Sequence, residues 1–273
     1  MPSSHAPVQS GPVLPRRPRK RFGQHFLTDP AVVERIFGAL RCQATDRILE
    51  IGPGTGLLTE RLCREAGTVT AIEVDRDLAA SLRARLPALR VVCDDVLATE
   101  LEAYLDSDGA LRVVGNLPYN VATPLLGRLF DVIDRLADLH VMLQAEVADR
   151  LTANPGTKSY GRLSVTAQYH CRIERLFDVE ATSFTPVPKV RSAFVRFLSR
   201  ECEPCDVATL AAVLRAAFGQ RRKTLGNALK SFAPDWQALG LDAGARAETL
   251  RVEDFVAIAN EVAAKRSGHR ERP

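Results

Sequence analysis

Arg47-Ile-Leu-Glu-Ile-Gly-Pro-Gly-Thr-Gly56 decides how the rest of the chain is read. An apolar run too short for a helix passes directly into three glycines at alternate positions, and a helical pattern over residues 57–65 follows. Such a run, bounded by glycine, reads as a buried strand. Glycines at the carboxyl end of a strand let a ligand approach the backbone there. The spacing is G-x-G-x-G rather than G-x-G-x-x-G, and no Gly-Lys-Ser/Thr follows, so a phosphate cradle is disfavoured. Taken alone, the segment fits a tight turn as well as a binding loop.

Outward from it the chain alternates. Upstream, residues 31–40 place Val32, Val33, Ile36, Phe37 and Leu40 on one side of a helix that Asp29-Pro30 starts. Downstream come a strand over 68–72 ending on Glu73, a helix over 78–86, and strands over 89–92 and 111–114. A helix runs from Pro124 to about Ala137, then a strand over 139–143 and a helix over 146–153. Residues 163–170 fit helix or strand, and their Gln and Ala content favours helix. Strands over 172–179 and 190–198 follow, with Pro186 and Pro188 in the loop between them. This alternation predicts an α/β fold, a mostly parallel sheet with helices on both faces. From Asp206 the pattern is helical to the end, which places a domain boundary near residue 200.

The 273 residues, 46% hydrophobic, suffice for one large core and exclude a disordered tail or a small stapled scaffold. A formal charge of +4 is too small to coat nucleic acid by bulk charge, but its distribution is uneven. Residues 1–28 carry five Lys or Arg and no acid, residues 29–185 carry 17 against 23, and residues 186–273 carry 15 against 10. An acidic middle thus lies between two basic ends. Residues 1–20, rich in Pro, Ser and Arg, read as a disordered basic arm. Their lack of acids also suits an organellar transit signal, although the prolines oppose the amphipathic helix such a signal needs.

Six cysteines without a secretory leader point to reduced thiols and a cytoplasmic setting. Cys202 and Cys205 form a C-x-x-C without a second pair or a nearby His, so no metal site is expected. No apolar run reaches the roughly 18 residues of a membrane span.

The chemistry sits at strand ends. Glu73, about 20 residues beyond the glycines, can accept both hydroxyls of a ribose. Asp95, after the third strand, can accept an adenine amine, with its neighbour Asp94 as the rival. Either acid also suits a solvated turn. After the fourth strand, Asn116-Leu-Pro-Tyr119 offers an amide oxygen, the Leu117 carbonyl and an aromatic face, a set that matches an extruded base with an exocyclic amine. The plainer reading is a turn-forming Asn with Tyr119 as rim packing.

With these blocks in order, the chain resembles the KsgA/RsmA family of small-subunit (16S) ribosomal RNA adenine dimethyltransferases. The resemblance rests on residues 21–27 (RFGQHFL), 50–56 (EIGPGTG), 71–75 (AIEVD), 95–97 (DVL), 115–120 (GNLPYN), 160–165 (YGRLSV), 184–190 (FTPVPKV) and 221–225 (RRKTL). It implies a Rossmann-like class I S-adenosylmethionine-dependent methyltransferase fold over residues 21–200 and a small helical RNA-binding domain over 201–273. It also implies cofactor contacts at His25, Leu27, Gly52, Gly54, Glu73, Asp95 and Asn116. Asn116, Leu117 and Tyr119 would hold the target adenine, with Phe184 as its second stacking face. Arg221, Arg222 and Lys223 would grip phosphates of 16S rRNA in the small subunit, the enzyme acting as a monomer. The family often has Asn where this chain has His25, so contact by side chain or by backbone is left open there. Two other readings stand beside this one: a large-subunit adenine methyltransferase, whose members usually have Phe at the position of Tyr119, and a noncatalytic assembly or nucleic-acid-binding factor on the same fold.

Overall fold

Asp29 starts the first helix as its sequence predicts, its side chain accepting the Ala31 amide while Pro30 occupies the first helical position. The computed structural model describes residues 23–105, 111–119, 121–220 and 222–270. The basic arm over residues 1–20 lies outside them. Element order is β1 (Phe26–Leu27), α1 (Pro30–Leu40), β2 (Arg47–Ile51), α2 (Thr59–Glu65), β3 (Thr68–Ile72), α3 (Arg76–Arg85), β4 (Arg90–Val92) and β5 (Leu111–Asn116). Then follow α4 (Ala122–Phe130), β6 (Leu136–Gln144), α5 (Ala145–Leu151), α6 (Arg162–His170), β7 (Cys171–Val179), β8 (Phe184–Thr185) and β9 (Ser192–Ser199). The chain ends in α7 (Val207–Gly219), α8 (Leu225–Ala228), α9 (Trp236–Leu239) and α10 (Val252–Arg270).

Seven strands form one sheet in the order β4-β3-β2-β5-β6-β9-β7. The five from β4 to β6 are parallel, and β9 and β7 close the far edge antiparallel. The chain winds outward from β2 through β3 to β4, then returns to β5 on the other side of β2. That reversal opens a crevice at the carboxyl ends of β2 and β5, the usual ligand position in such sheets.

Neighbouring residues of a strand face opposite sides. Leu49 and Val113 accordingly join one core with Leu125, Leu139 and Val195, while Ile48 and Val114 join another with Phe37, Leu62 and Phe194. At the amino ends of the strands, Arg112 donates from Nε and Nη2 to the two carboxylate oxygens of Asp138, both at 2.9 Å, and from Nη1 to Asp46 at 2.7 Å. Against its burial, the His140 ring, with Nδ1 3.4 Å away, and then the Arg112 guanidinium hold the Asp138 carboxyl well below the usual range. The cluster pins the end of the sheet opposite the crevice.

A third core joins α7 and α10 to Tyr160, Val165 and Tyr169, and the Tyr160 hydroxyl donates to the Leu250 carbonyl at 2.9 Å. The linker before α7 is tied to the same region, with Cys202 Sγ donating to the Tyr169 carbonyl at 3.2 Å. Among the described residues no helix is long and apolar enough to cross a membrane.

One predicted element is corrected. The helix expected from Pro124 to about Ala137 starts earlier, at Ala122, and ends at Phe130. A 3-10 turn over Ile133–Arg135 follows, and Leu136 already opens β6. Pro124 is tolerated because it lies in the first turn, where no intrahelical acceptor exists for its missing N–H.

Candidate active site

A cavity of about 320 Å³ opens at the crevice, walled by the ends of β2, β3 and β5, the loop after β4 and the segment before β1. Gly52 and Gly54 both have left-handed backbone, φ +68° and +57°. A Cβ on Gly54 would lie 2.9 Å from Cδ1 of Phe26, so only glycine lets the segment before α1 close over the loop. The Gly54 amide donates to Glu73 Oε2 at 3.0 Å and the Asp75 amide to Oε1 at 2.9 Å. Glu73, only 4% exposed, thus fixes the glycine loop while lining the cavity. Burial pushes its carboxyl up from the usual value, against the pull of those amides.

Behind the glycines lies a smaller cavity bordered by Glu50, Thr55, Leu27 and Asn116. Glu50 is 2% exposed, and its Oε2 has no hydrogen-bond partner among the described residues. Burial, reinforced by the nearby Glu73 charge, pushes this carboxyl up to about 7. Thr59 pulls the other way, and a cationic group placed beside the carboxyl would relieve the same penalty.

Asp94 and Asp95 both reach the cavity, and their bonding separates them. Asp94 accepts from the Asp95 amide at 2.8 Å and from Thr99 Oγ1 at 3.3 Å, one bond to each oxygen. Asp95 spends only Oδ1, on the Leu97 amide at 2.9 Å, and among the described residues nothing bonds Oδ2.

At the mouth, Asn116 Nδ2 donates to the His25 carbonyl at 3.0 Å. A carbonyl can only accept, so the contact fixes which way the amide points and leaves its oxygen as a directed acceptor. Among the described residues no donor reaches the Leu117 carbonyl. The Tyr119 ring stacks on His25, centroids 5.6 Å apart and planes 27° from parallel. His25 Nδ1 lies 2.7 Å from the Pro186 carbonyl, which makes Nδ1 the protonated nitrogen.

Residues 16–264 match the family model described as ribosomal RNA adenine dimethylase. The chain belongs to that family. It is 46% identical over 275 residues to the ribosomal RNA small subunit methyltransferase A of Chromohalobacter salexigens, covering 96% of this chain and 97% of that one. The protein of the same name from Methylococcus capsulatus is 47% identical over 252 residues, covering 90% and 98%. Among solved structures, a dimethyladenosine transferase from Plasmodium falciparum superposes with TM-score 0.77 at 25% identity, covering 88% of this chain and 98% of that one. The 23S rRNA methyltransferase ErmE superposes with TM-score 0.67 at 25% identity, covering 87% and 99%.

The protein is therefore an adenine dimethylase with the class I methyltransferase fold, and its methyl donor is S-adenosylmethionine. The cavity suits that donor: an acid at Glu73, an open acceptor at Asp95 and apolar walls from Ile51, Ile72 and Val96, with a second acid, Glu50, in the smaller cavity beside it.

Of the residues singled out in the sequence, this dimethylase brings His25, Gly52, Gly54, Glu73, Asp95, Asn116, Leu117 and Tyr119 to one cavity. Phe184 and Leu27, expected at the same site, do not line it. Phe184 is 1% exposed and packs with Leu27, Met142 and Phe194, so its ring offers no face for a base. The cause is the antiparallel pairing of β8 with β1, in register Leu27 to Phe184, which turns both side chains into the core. Leu27 reaches only the smaller cavity. Arg222 and Lys223 are exposed in the turn before α8, and Arg221 lies outside the described residues.

Sequence reasoning missed Gln24, which lines the dimethylase cavity and donates to Asp75 at 3.3 Å, although it lies within the quoted 21–27 block. It also missed Ser192, for which no local signal exists.

The bonding of the two aspartates sets an expectation. Asp95→Ala should weaken S-adenosylmethionine binding by about 1–3 kcal/mol, the scale of a lost hydrogen bond to a charged group. Asp94→Ala should cost clearly less, because its bonds shape only the turn. Calorimetric titration of both variants decides, and a larger loss at position 94 would reverse the assignment.

Proposed function

We propose that the protein dimethylates the exocyclic amines of adjacent adenosines near the 3′ end of 16S rRNA in the small ribosomal subunit, acting as a cytoplasmic monomer with a role in small-subunit biogenesis. Residues 21–200 carry the chemistry and residues 201–273 grip the RNA. The observation that supports this best is the Asn116 amide, oriented by the His25 carbonyl beside the Tyr119 ring at the cavity mouth.

Adenine N6 delocalises its lone pair into the ring, and methyl transfer needs that pair aimed at the methyl carbon. Acceptors at Asn116 Oδ1 and Leu117 O draw the two N–H bonds out of conjugation and favour a tetrahedral nitrogen, which is stabilisation of the transition state by fixed dipoles. S-adenosylmethionine supplies the methyl group as a sulfonium. The amine loses its proton to water after transfer, so no strong base is required, and none stands in Asn116-Leu-Pro-Tyr119.

The small subunit is favoured over the large because the small-subunit relatives are 46–47% identical while ErmE is 25%. The test is incubation with labelled S-adenosylmethionine and small subunits lacking the modification, followed by mapping of the label. Label on paired adenosines near the 3′ end of 16S rRNA is expected. Tight subunit binding without label would favour a noncatalytic assembly factor.

Phosphate contacts supply most nucleic-acid affinity by releasing counterions. Neutralising Arg221, Arg222 and Lys223 together should weaken subunit binding and flatten its log–log salt slope by roughly two to three units, at about 0.7–0.9 per contact. Cofactor affinity should not move. The same change at Arg16, Arg17 and Arg19 should matter less. An unchanged slope for the first triple variant would place the RNA grip elsewhere.

A further inference from the structure

Ser192 opens β9 with its side chain fully buried, and its Oγ lies 3.0 Å from the Tyr119 hydroxyl. Among the described residues it is that hydroxyl's hydrogen-bond partner. Tyr119 is thereby held at two places: its ring face rests on His25, itself tied to the Pro186 carbonyl, and its far end is anchored to the sheet. A phenylalanine could stack equally well but would lack the anchor. The hydroxyl is committed to Ser192, so it serves ring placement rather than proton transfer.

We propose that Ser192 is a positioning residue that acts through Tyr119, and that the second of the two methyl transfers depends on it far more than the first. The proposal rests on the dimethylation reading above. In the first transfer N6 carries two N–H bonds, one for Asn116 Oδ1 and one for Leu117 O, and these acceptors orient the amine between them. The N6 lone pair forms the bond to the methyl carbon as the carbon–sulfur bond breaks, its electrons staying on sulfur, and one N6 proton leaves to water. The product keeps a single N–H. One acceptor now faces a methyl group, and half of the directional hold on the amine is gone. Placement of N-methyladenine for the second transfer therefore falls to the stacking surface, whose own position is set by the Tyr119–Ser192 bond. The second transfer repeats the same bond changes with the last N6 proton.

The test is single-turnover methylation of unmodified small subunits at saturating S-adenosylmethionine, with mono- and dimethyladenosine quantified over time. Ser192→Ala should slow the first transfer by no more than about two-fold and the second by roughly five- to ten-fold, the scale of one net hydrogen bond. Monomethyladenosine should then accumulate. Tyr119→Phe removes the same bond from its other end without touching β9, so it tests the proposal even where Ser192→Ala melts. It should accumulate the same intermediate. The double variant should be no worse than either single one, as expected for two changes that break one interaction. Ser192→Thr, which keeps a hydroxyl, should restore the wild-type ratio. An unchanged ratio of mono- to dimethyladenosine in both single variants, equal slowing of both steps, or additive effects in the double variant would overturn the proposal. A wild-type protein that forms no dimethyladenosine would instead refute the dimethylation reading on which it rests.

Discussion

Asn116→Ala is expected to lower the rate of methyl transfer by about 100- to 1,000-fold, the range seen when one preorganised dipole is removed from a developing charge. Small-subunit binding should change little, because phosphate contacts dominate nucleic-acid affinity. The loss has two parts in this geometry. The side chain supplies an acceptor whose benefit grows as the amine pyramidalises, so its removal acts on kcat rather than on KM. It also ties the end of β5 to the His25 carbonyl at 3.0 Å, and His25 in turn supports the Tyr119 ring. Asn116→Asp separates the two parts: it keeps an acceptor but loses the donor, placing a carboxylate oxygen against the His25 carbonyl. It should fall close to the alanine variant if orientation matters as much as the acceptor does. Single-turnover methylation of undermethylated subunits measures both variants. A fully active Asn116→Ala protein would remove the amide from the mechanism.

The parts of this molecule legible in the sequence are those whose cause is local. Asp29-Pro30 marks a helix start by capping chemistry within two residues, and Ile48 and Leu49 reveal a strand buried on both faces. Glu73, Asp95 and Asn116 can be read as ligand-facing because each stands where an apolar run stops, and in a parallel sheet those stops share one edge. What escapes is set by contacts across the chain. The strands β1 and β8 have two residues each, too few for any periodicity, and they exist only because they pair across more than 150 residues of chain. That pairing buries Phe184, so an aromatic beside a proline-rich loop looks like a stacking face when read alone. Ser192 meets Tyr119 from 73 positions away. The overlong helix after Pro124 has the same origin: Val132, Ile133 and Leu136 continue an apolar spacing, yet Leu136 is drawn into β6 beside Leu111 of β5.

Glu50 is where stability and cofactor binding should oppose each other most strongly. Its carboxyl titrates near pH 7 in the folded protein, against a usual value of 4.5, because burial penalises the ion. The folded state therefore holds this proton more tightly than the unfolded state does. Glu50 imposes no ionisation penalty below about pH 4.5, and the penalty grows as pH rises towards 7. Above that it levels off at about 3 kcal/mol, because each tenfold difference in proton affinity between the two states is worth about 1.4 kcal/mol. Glu50→Gln removes the ionisation. The cofactor-free variant should melt at a higher temperature than the parent at pH 8, and the gap should close by pH 5. Binding should run the other way. A cationic group seated beside Glu50 favours the anion and pulls its titration down, so the parent should release a proton on taking up S-adenosylmethionine at pH 6 and very little at pH 8. Its affinity should rise across that interval. Glu50→Gln should bind more weakly at pH 8 by about 1.5–3 kcal/mol, the scale of a hydrogen bond to a charged group, and its affinity should lose this dependence on pH. Thermal melts at the two pH values, with calorimetric titrations in buffers of different ionisation enthalpy, measure both halves. A variant that melts lower than the parent at pH 8 would show that the buried carboxylate is already compensated. Unaltered affinity would show that the cation sits away from Glu50.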